Sequence, residues 1–188
     1  MPVSVQNEAV FLDRDGTLNE DPGYLDDPAK LKLLPGVVPA LKRLIDHGFV
    51  LVVVSNQSGV HRGLIQEGTL KLIHARLNEL LGDPYPMIRH FRLCIHRPDE
   101  NCECRKPNPK LLLEAARELR LNLRRSYMVG DKFSDLLAGK NAGCRASILV
   151  RTGDGETTAA KLKPGEADFV ATDLEQAVNW ILLQTQSD

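Results

Sequence analysis

The chain alternates short apolar runs with stretches whose apolar positions recur every three to four residues. Residues 9–12 (Ala-Val-Phe-Leu) form a continuous apolar run that ends abruptly at Asp13, a pattern that predicts a buried strand. The same character recurs at 49–54, 91–95, 127–129, 147–150 and 169–170. Between these runs, Val37, Val38, Leu41, Leu44 and Ile45 fall on one helical stripe after Pro35-Gly36, and Gly48 supplies a stop. Further helices are predicted at 69–81 (Leu70, Ile73, Leu77 and Leu80 aligned), 110–119 (Leu111, Leu112, Ala115, Ala116 and Leu119), 133–141 before Gly143, and 174–183.

Uniformly apolar strands suit a parallel sheet covered on both faces. Strands alternating with helices predict one α/β domain over residues 1–188, Rossmann-like, with right-handed crossovers and helices on both faces. In such sheets ligands collect at the C-terminal ends of the strands. Residues 19–34 and 153–165 are expected as loops, the second as the more mobile. The connections are too short for a large cap domain.

Composition narrows the class. The 188 residues are 43% hydrophobic and 26% charged, enough for an ordinary core. Lys and Arg total 24 against 25 Asp and Glu, a net charge of −1, which argues against a dedicated nucleic-acid binder. No apolar run reaches the roughly 20 residues that span a bilayer. Residues 1–6 lack the basic and apolar regions of a signal peptide, so a cytosolic location is expected. No membrane partner and no nucleic acid are expected, and nothing demands more than a monomer. Of four cysteines, Cys94, Cys102 and Cys104 crowd together with His96, whereas Cys144 stands apart as a small buried hydrophobe.

The candidate chemistry sits at the strand ends. Asp13 and Asp15 follow the first strand, with Gly16 and Thr17 behind them. Two carboxylates at such a place repel each other and lose hydration, which a divalent cation offsets. Asp can also accept a phosphoryl group as nucleophile. Taken alone, the pair also fits a helix N-cap with an extra surface acid. Ser55-Asn56-Gln57-Ser58-Gly59 closes the second strand, Gly130-Asp131-Lys132 closes the fourth, and Arg105-Lys106-Pro107 precedes a helix. Each has a bland reading as cap, turn or surface charge. Their joint occurrence on an alternating α/β chain is the specific signal.

Cys94, His96, Cys102 and Cys104 make a closed three-sulfur, one-nitrogen set for structural Zn²⁺. A redox-active Cys pair or unrelated buried thiols are the other readings. A metal here would staple a loop poor in apolar residues that leads straight into Arg105 and Lys106.

This combination resembles the haloacid dehalogenase (HAD) superfamily of aspartate-nucleophile phosphatases, on DRDGT at Asp13, Ser55, Lys106 and GDKFSD at 130–135. The resemblance implies that Asp13 forms an aspartyl-phosphate and that Asp15 is general acid, then base, with a raised pKa. It implies that Ser55 and Lys106 hold the phosphoryl oxygens, and that Asp13, the Asp15 backbone carbonyl and Asp131 hold Mg²⁺. Within the superfamily, the zinc loop is similar to the branch of D-glycero-D-manno-heptose 1,7-bisphosphate 7-phosphatases and histidinol-phosphate phosphatases. Asp21-Pro22-Gly23-Tyr24, Asn56-Gln57-Ser58-Gly59, Arg62-Gly63 and Arg105-Lys106-Pro107 look most like the heptose enzymes. Histidinol-phosphate enzymes usually read Asn-Gln-Asp-Gly at 56–59.

That resemblance implies a small phosphorylated sugar as partner, feeding nucleotide-heptose and surface-polysaccharide synthesis. It implies that Asp21, Pro22, Gly23, Tyr24, Asn56, Gln57, Ser58, Arg105 and Lys132 contact the substrate, with Arg105 on its second phosphate. His61 stands where that family often has Ala and reads as a surface histidine. Histidinol phosphate, a DNA 3′-phosphate and a non-enzymatic phospho-Asp switch are the competing functions. The switch has no need of the paired acid at Asp15.

Overall fold

The computed structural model describes residues 7–82 and 87–185; residues 1–6, read above for targeting, lie outside them. Six strands form one parallel sheet: β1 (Ala9–Leu12), β2 (Val50–Asn56), β3 (His90–Cys94), β4 (Tyr127–Gly130), β5 (Ala146–Val150) and β6 (Phe169–Ala171). Their spatial order is β3-β2-β1-β4-β5-β6. The connecting helices are α1 (Val37–Asp46), α2 (Glu67–Leu81), α3 (Lys110–Leu119), α4 (Phe133–Ala142), α5 (Gly155–Ala159) and α6 (Leu174–Thr185).

Strand side chains alternate between two apolar layers, as a period of two requires. Val10, Leu12, Val53, Tyr127 and Val129 pack on one face with Leu41 and Leu44 of α1, Ile73 and Leu77 of α2 and Ile181 of α6. Ala9, Phe11, Val52, Val54 and Met128 pack on the other with Leu112 and Ala115 of α3 and Ala138 of α4. The expected strands and helices are present, with ends that differ by two residues or fewer.

The strand order changes direction between β1 and β4, which pair in register at Val10–Tyr127 and Leu12–Val129. A crevice opens beyond the carboxyl ends at such a switch point. Asp13 follows β1 and Asp131 follows β4, so the two carboxylates flank it. Between β1 and α1 there is only a 3-10 turn at Pro28–Lys30 and two isolated bridges, from Asn19 to Asp15 and Leu33. No cap domain interrupts the described residues.

One expectation is corrected. The segment 153–165 is not all loop: it contains α5, and side chains bind it to the crevice. Thr158 Oγ1 donates to the Asp131 carbonyl at 2.8 Å, and Thr152 Oγ1, just ahead of the segment, donates to the Gly16 carbonyl at 2.6 Å. Its Gly-, Thr- and charge-rich composition hid these long-range bonds.

Candidate active site

The crevice is built around a buried cation. Lys106 is 3% exposed. Its ammonium group donates to Asp13 Oδ1 at 2.8 Å and the Val54 carbonyl at 2.6 Å, and pairs with Asp135 Oδ1 at 2.6 Å. Burial pulls a lysine's proton affinity down, but Asp13 and Asp135 outweigh it and Lys106 lies above its ordinary range. Its backbone is held as well. Lys106 N–H donates to Asn56 Oδ1 at 3.0 Å, and Asn56 Nδ2 donates back to the Lys106 carbonyl at 3.1 Å.

Asp13, Asp131 and Asp135 bring three carboxylates together, with ligand oxygens within 4.8 Å of one another. Burial, then Asp13 and Asp135, push the Asp131 carboxyl up to about 8. Burial raises Asp135 to about 6, with Lys106 pulling down and Asp13 pushing up. Asp131 Oδ2 accepts from the Asp154 N–H at 2.8 Å, whereas Oδ1 is buried without a hydrogen-bond partner among the described residues. A Cβ on Gly16 would lie 2.3 Å from Asp131 Oδ2, and one on Gly153 would lie 2.4 Å from it. Only glycine fits at either position, and Gly16 also has φ +84°. One lysine does not neutralise three buried carboxylates. An orphaned carboxylate oxygen within a hard-oxygen set fits Mg²⁺. Asp135, absent from the ligand set expected from sequence, belongs to this cluster.

The expectation for Asp15 is overturned. Burial pushes its carboxyl up, but the Arg14 guanidinium and three hydrogen bonds outweigh burial and hold it below its ordinary value. Arg14 Nε and Nη2 lie 3.0 and 2.7 Å from its two oxygens. Asn19 Nδ2 and Gln57 Nε2 each donate at 2.8 Å. Arg14 is fully buried and donates also to Gln57 Oε1 at 3.1 Å. Asp15 is therefore a carboxylate in the free protein, because a carboxylate accepts this many donors and a neutral acid does not.

A polar cleft of about 200 Å³ opens above these groups. Asp13, Asp15, Ser55, Lys106 and Lys132 line it, as do Asp21, Gly23, Tyr24, Asn56, Gln57, Ser58 and Arg105. Gly59, Ser134 and Asp135 complete the wall. Two expected residues are elsewhere: Pro22 is exposed outside the lining, and Asp131 is fully buried beneath it. Asn56 spends both ends of its amide on Lys106, and Gln57 spends its own on Arg14, Asp15 and Ser55, whose Oγ accepts at 2.9 Å. Lys132 Nζ pairs with Asp21 Oδ2 at 3.0 Å. Burial lowers its proton affinity, but Asp131 and Asp21 raise it more. Arg105 Nη1 donates to the His96 carbonyl at 3.2 Å, and Arg105 has no carboxylate partner among the described residues.

At the end of β3 the expected metal set converges. Cys94 Sγ lies 3.5 Å from Cys102 Sγ and 2.7 Å from Cys104 Sγ, and Cys102 and Cys104 are 3.6 Å apart. His96 Nδ1 faces Cys104 at 3.2 Å and Cys94 at 3.6 Å. Sulfurs about 2.3 Å from one tetrahedral Zn²⁺ lie about 3.8 Å apart, so these donors form a contracted version of that cage. Three soft sulfurs and one imidazole are able to hold a zinc ion. Cys144 is not fully buried as expected; it packs at the margin of the second apolar layer, and burial pushes its thiol up to about 12. No helix is long and apolar enough to cross a membrane among the described residues.

Comparison with known proteins places this geometry. A family model described as "HAD-hyrolase-like" matches residues 103–177. The chain is 38% identical over 181 residues to the D-glycero-beta-D-manno-heptose-1,7-bisphosphate 7-phosphatase of Haemophilus ducreyi, covering 93% of this chain and 98% of that protein. It is likewise 38% identical to the enzyme of that name from Escherichia coli K12, over 90% of this chain and 93% of that one. The crystal structure of D,D-heptose 1,7-bisphosphate phosphatase from B. bronchiseptica, complexed with magnesium and phosphate, superposes with a TM-score of 0.87 at 35% identity, covering 94% of this chain and 99% of that one. The chain belongs to the D-glycero-beta-D-manno-heptose-1,7-bisphosphate 7-phosphatase family of HAD-like hydrolases.

Proposed function

We propose that this protein removes the 7-phosphate of D-glycero-β-D-manno-heptose 1,7-bisphosphate, with Asp13 as nucleophile. The observation that carries the reading is the pairing of Asp13 with Lys106 at the cleft floor, with a second, carboxylate-free guanidinium, Arg105, in the wall. One cation then serves the reacting phosphate and the other the spectator phosphate. A monophosphate would leave Arg105 unpaired.

An Asp13 carboxylate oxygen attacks phosphorus, and the bond from phosphorus to the sugar oxygen breaks. Lys106 and the Ser55 hydroxyl hold the equatorial oxygens, where charge accumulates. Mg²⁺, held by Asp13 and Asp131 with the Asp15 carbonyl or Asp135, would offset repulsion between carboxylate and phosphate. The leaving sugar oxygen takes a proton from Asp15. Asp15 is ionised in the free protein, so that proton enters with the substrate, whose phosphate has a second pKa near 6. In the second step Asp15 accepts a proton from water as the water attacks the phosphoryl-Asp13. Phosphate leaves carrying the proton from Asp15, and the Asp13 and Asp15 carboxylates are both restored. The Arg14–Asn19–Gln57 cradle leaves Asp15 set as this base.

The test is phosphate release with Mg²⁺ from both anomers of heptose 1,7-bisphosphate, histidinol phosphate and a DNA 3′-phosphate. A preference of about 10³-fold in kcat/KM for the β-bisphosphate, about 4 kcal/mol of differential transition-state binding, is expected. Equal slow rates on all four would remove the substrate assignment and leave the chemistry at Asp13.

A further inference from the structure

His61 lies outside the chemistry just described, on the loop that brings Gln57, Ser58 and Gly59 to the cleft. That loop is folded on itself by Arg62 N–H to the Ser58 carbonyl at 3.1 Å and Leu64 N–H to the Gly59 carbonyl at 2.8 Å. His61 Nδ1 lies 3.0 and 3.1 Å from the two oxygens of Glu100, 39 residues away on the zinc loop. A carboxylate only accepts, so Nδ1 carries the proton. Glu100 is itself fixed: Oε1 accepts the Arg97 backbone N–H at 3.1 Å and caps the 3-10 turn Pro98–Glu100. The His61 ring meets the His96 ring edge to face, with centroids 4.8 Å apart. His96 in turn holds Arg105 through its carbonyl.

His61 therefore touches the zinc loop twice, at Glu100 and at His96, and the second contact leads on to Arg105. It joins two loops that each supply part of the cleft wall. Both side chains of the hydrogen bond are partly exposed, 37% and 26%, so it adds little to global stability. What it does is limit where the zinc loop, and the guanidinium leaning on it, can sit. A guanidinium loses affinity for a phosphate when its fork is misplaced.

We infer that the His61–Glu100 contact is a latch between the Ser58 loop and the zinc loop, and that it positions Arg105 for a substrate's second phosphate. His61 and Glu100 are positioning residues that touch no reacting atom. This role rests on Arg105 receiving that phosphate.

The test compares heptose 1,7-bisphosphate with heptose 7-phosphate, using full-length protein with zinc content verified and Mg²⁺ present. His61→Ala and Glu100→Ala should each raise KM for the bisphosphate about 5- to 10-fold, leave kcat within about twofold, and leave kinetics on the monophosphate unchanged. His61→Gln, whose amide can still donate to Glu100, should recover much of the loss. In an Arg105→Ala background, His61→Ala should add nothing. Equal losses on both substrates, a fall in kcat, or full additivity with Arg105→Ala would overturn the latch while leaving Arg105's role intact. If Arg105→Ala alone fails to diminish the preference for the bisphosphate, the reading of Arg105 fails, and the latch fails with it.

Discussion

Two of the protein's clusters of metal-ligating side chains are supported in opposite ways. The carboxylates of Asp13, Asp131 and Asp135 hang from the ends of central strands and the first turn of α4, with Leu12, Val129 and Leu136 fully buried around them. The thiols of Cys94, Cys102 and Cys104 include one strand-end residue; after Ile95, which packs on the core, the loop continues through His96, Arg97, Pro98, Asp99, Glu100 and Asn101 with no further aliphatic or aromatic hydrophobe. Apolar burial fixes the first cluster before any ion arrives. The second has little else to close its loop, so a metal there contributes folding energy. A cation at the strand ends serves the reaction; a cation in the loop serves the position of Arg105 and Lys106.

The largest expected effect breaks the first region alone. Asp13→Asn should lower kcat by about 10⁴-fold or more while the melting temperature stays the same or rises, because it removes a charge from a crowded set. Steady-state kinetics and thermal denaturation check both halves. Metal removal sharpens the contrast next. Stripping Mg²⁺ with a chelator should abolish turnover, leave hydrogen exchange over β1 and β4 unchanged, and be reversed by Mg²⁺ alone. Cys102→Ser should instead lose zinc, measured by elemental analysis, expose residues 95–104 to exchange and protease, and reduce kcat/KM roughly 10- to 100-fold with no recovery on adding Mg²⁺. Asn56→Ala joins the two regions, since it frees the Lys106 backbone. A loss of about 10-fold in kcat is expected, smaller than for Lys106→Ala.

The smallest effect concerns stability beneath the cleft. His74 on α2 stacks on Phe91 with ring centroids 4.0 Å apart, and its Nε2 is buried without a hydrogen-bond partner among the described residues. Burial first, then Arg14, lower its pKa to about 4. The unfolded chain, with an ordinary histidine near 6.5, binds the extra proton as pH falls between those values, and the folded state does not. Stability from this group is thus full above about 6.5 and is lost toward 4, about 2 kcal/mol between pH 7 and pH 5. His74→Gln should flatten that part of the urea-midpoint profile.

Much of this was legible in the sequence because apolar runs end where functional groups begin. Asp13, Ser55 and Asp131 announce themselves as the first polar residues after buried strands, and the zinc ligands by donor type and crowding. What was illegible depends on contacts across the fold. Asp135 reads as an ordinary acid in a helix's first turn, although the four-residue step from Asp131 was a usable signal. Arg14 folds back on its neighbour Asp15 and, with Asn19 and Gln57, reverses the expected direction of its pKa. Asn56 reads as a substrate contact, but its amide is spent on a backbone 50 residues away. Helix α5 is held by Thr158 and Asp154 against Asp131, which no local propensity encodes.

The central claim is that Asp13 itself carries the phosphoryl group. The direct measurement is to mix the unaltered protein with Mg²⁺ and heptose bisphosphate bearing ³²P at the 7-position for less than one turnover, with Asp15 left in place because it serves as acid in the first step and base in the second. The reaction is then quenched in acid and the labelled peptide is mapped. The account predicts transient, alkali-labile label on the peptide containing Asp13, and none when Asp13 is replaced by Asn. Full turnover with no protein-bound label, or label on a peptide lacking Asp13, would contradict it.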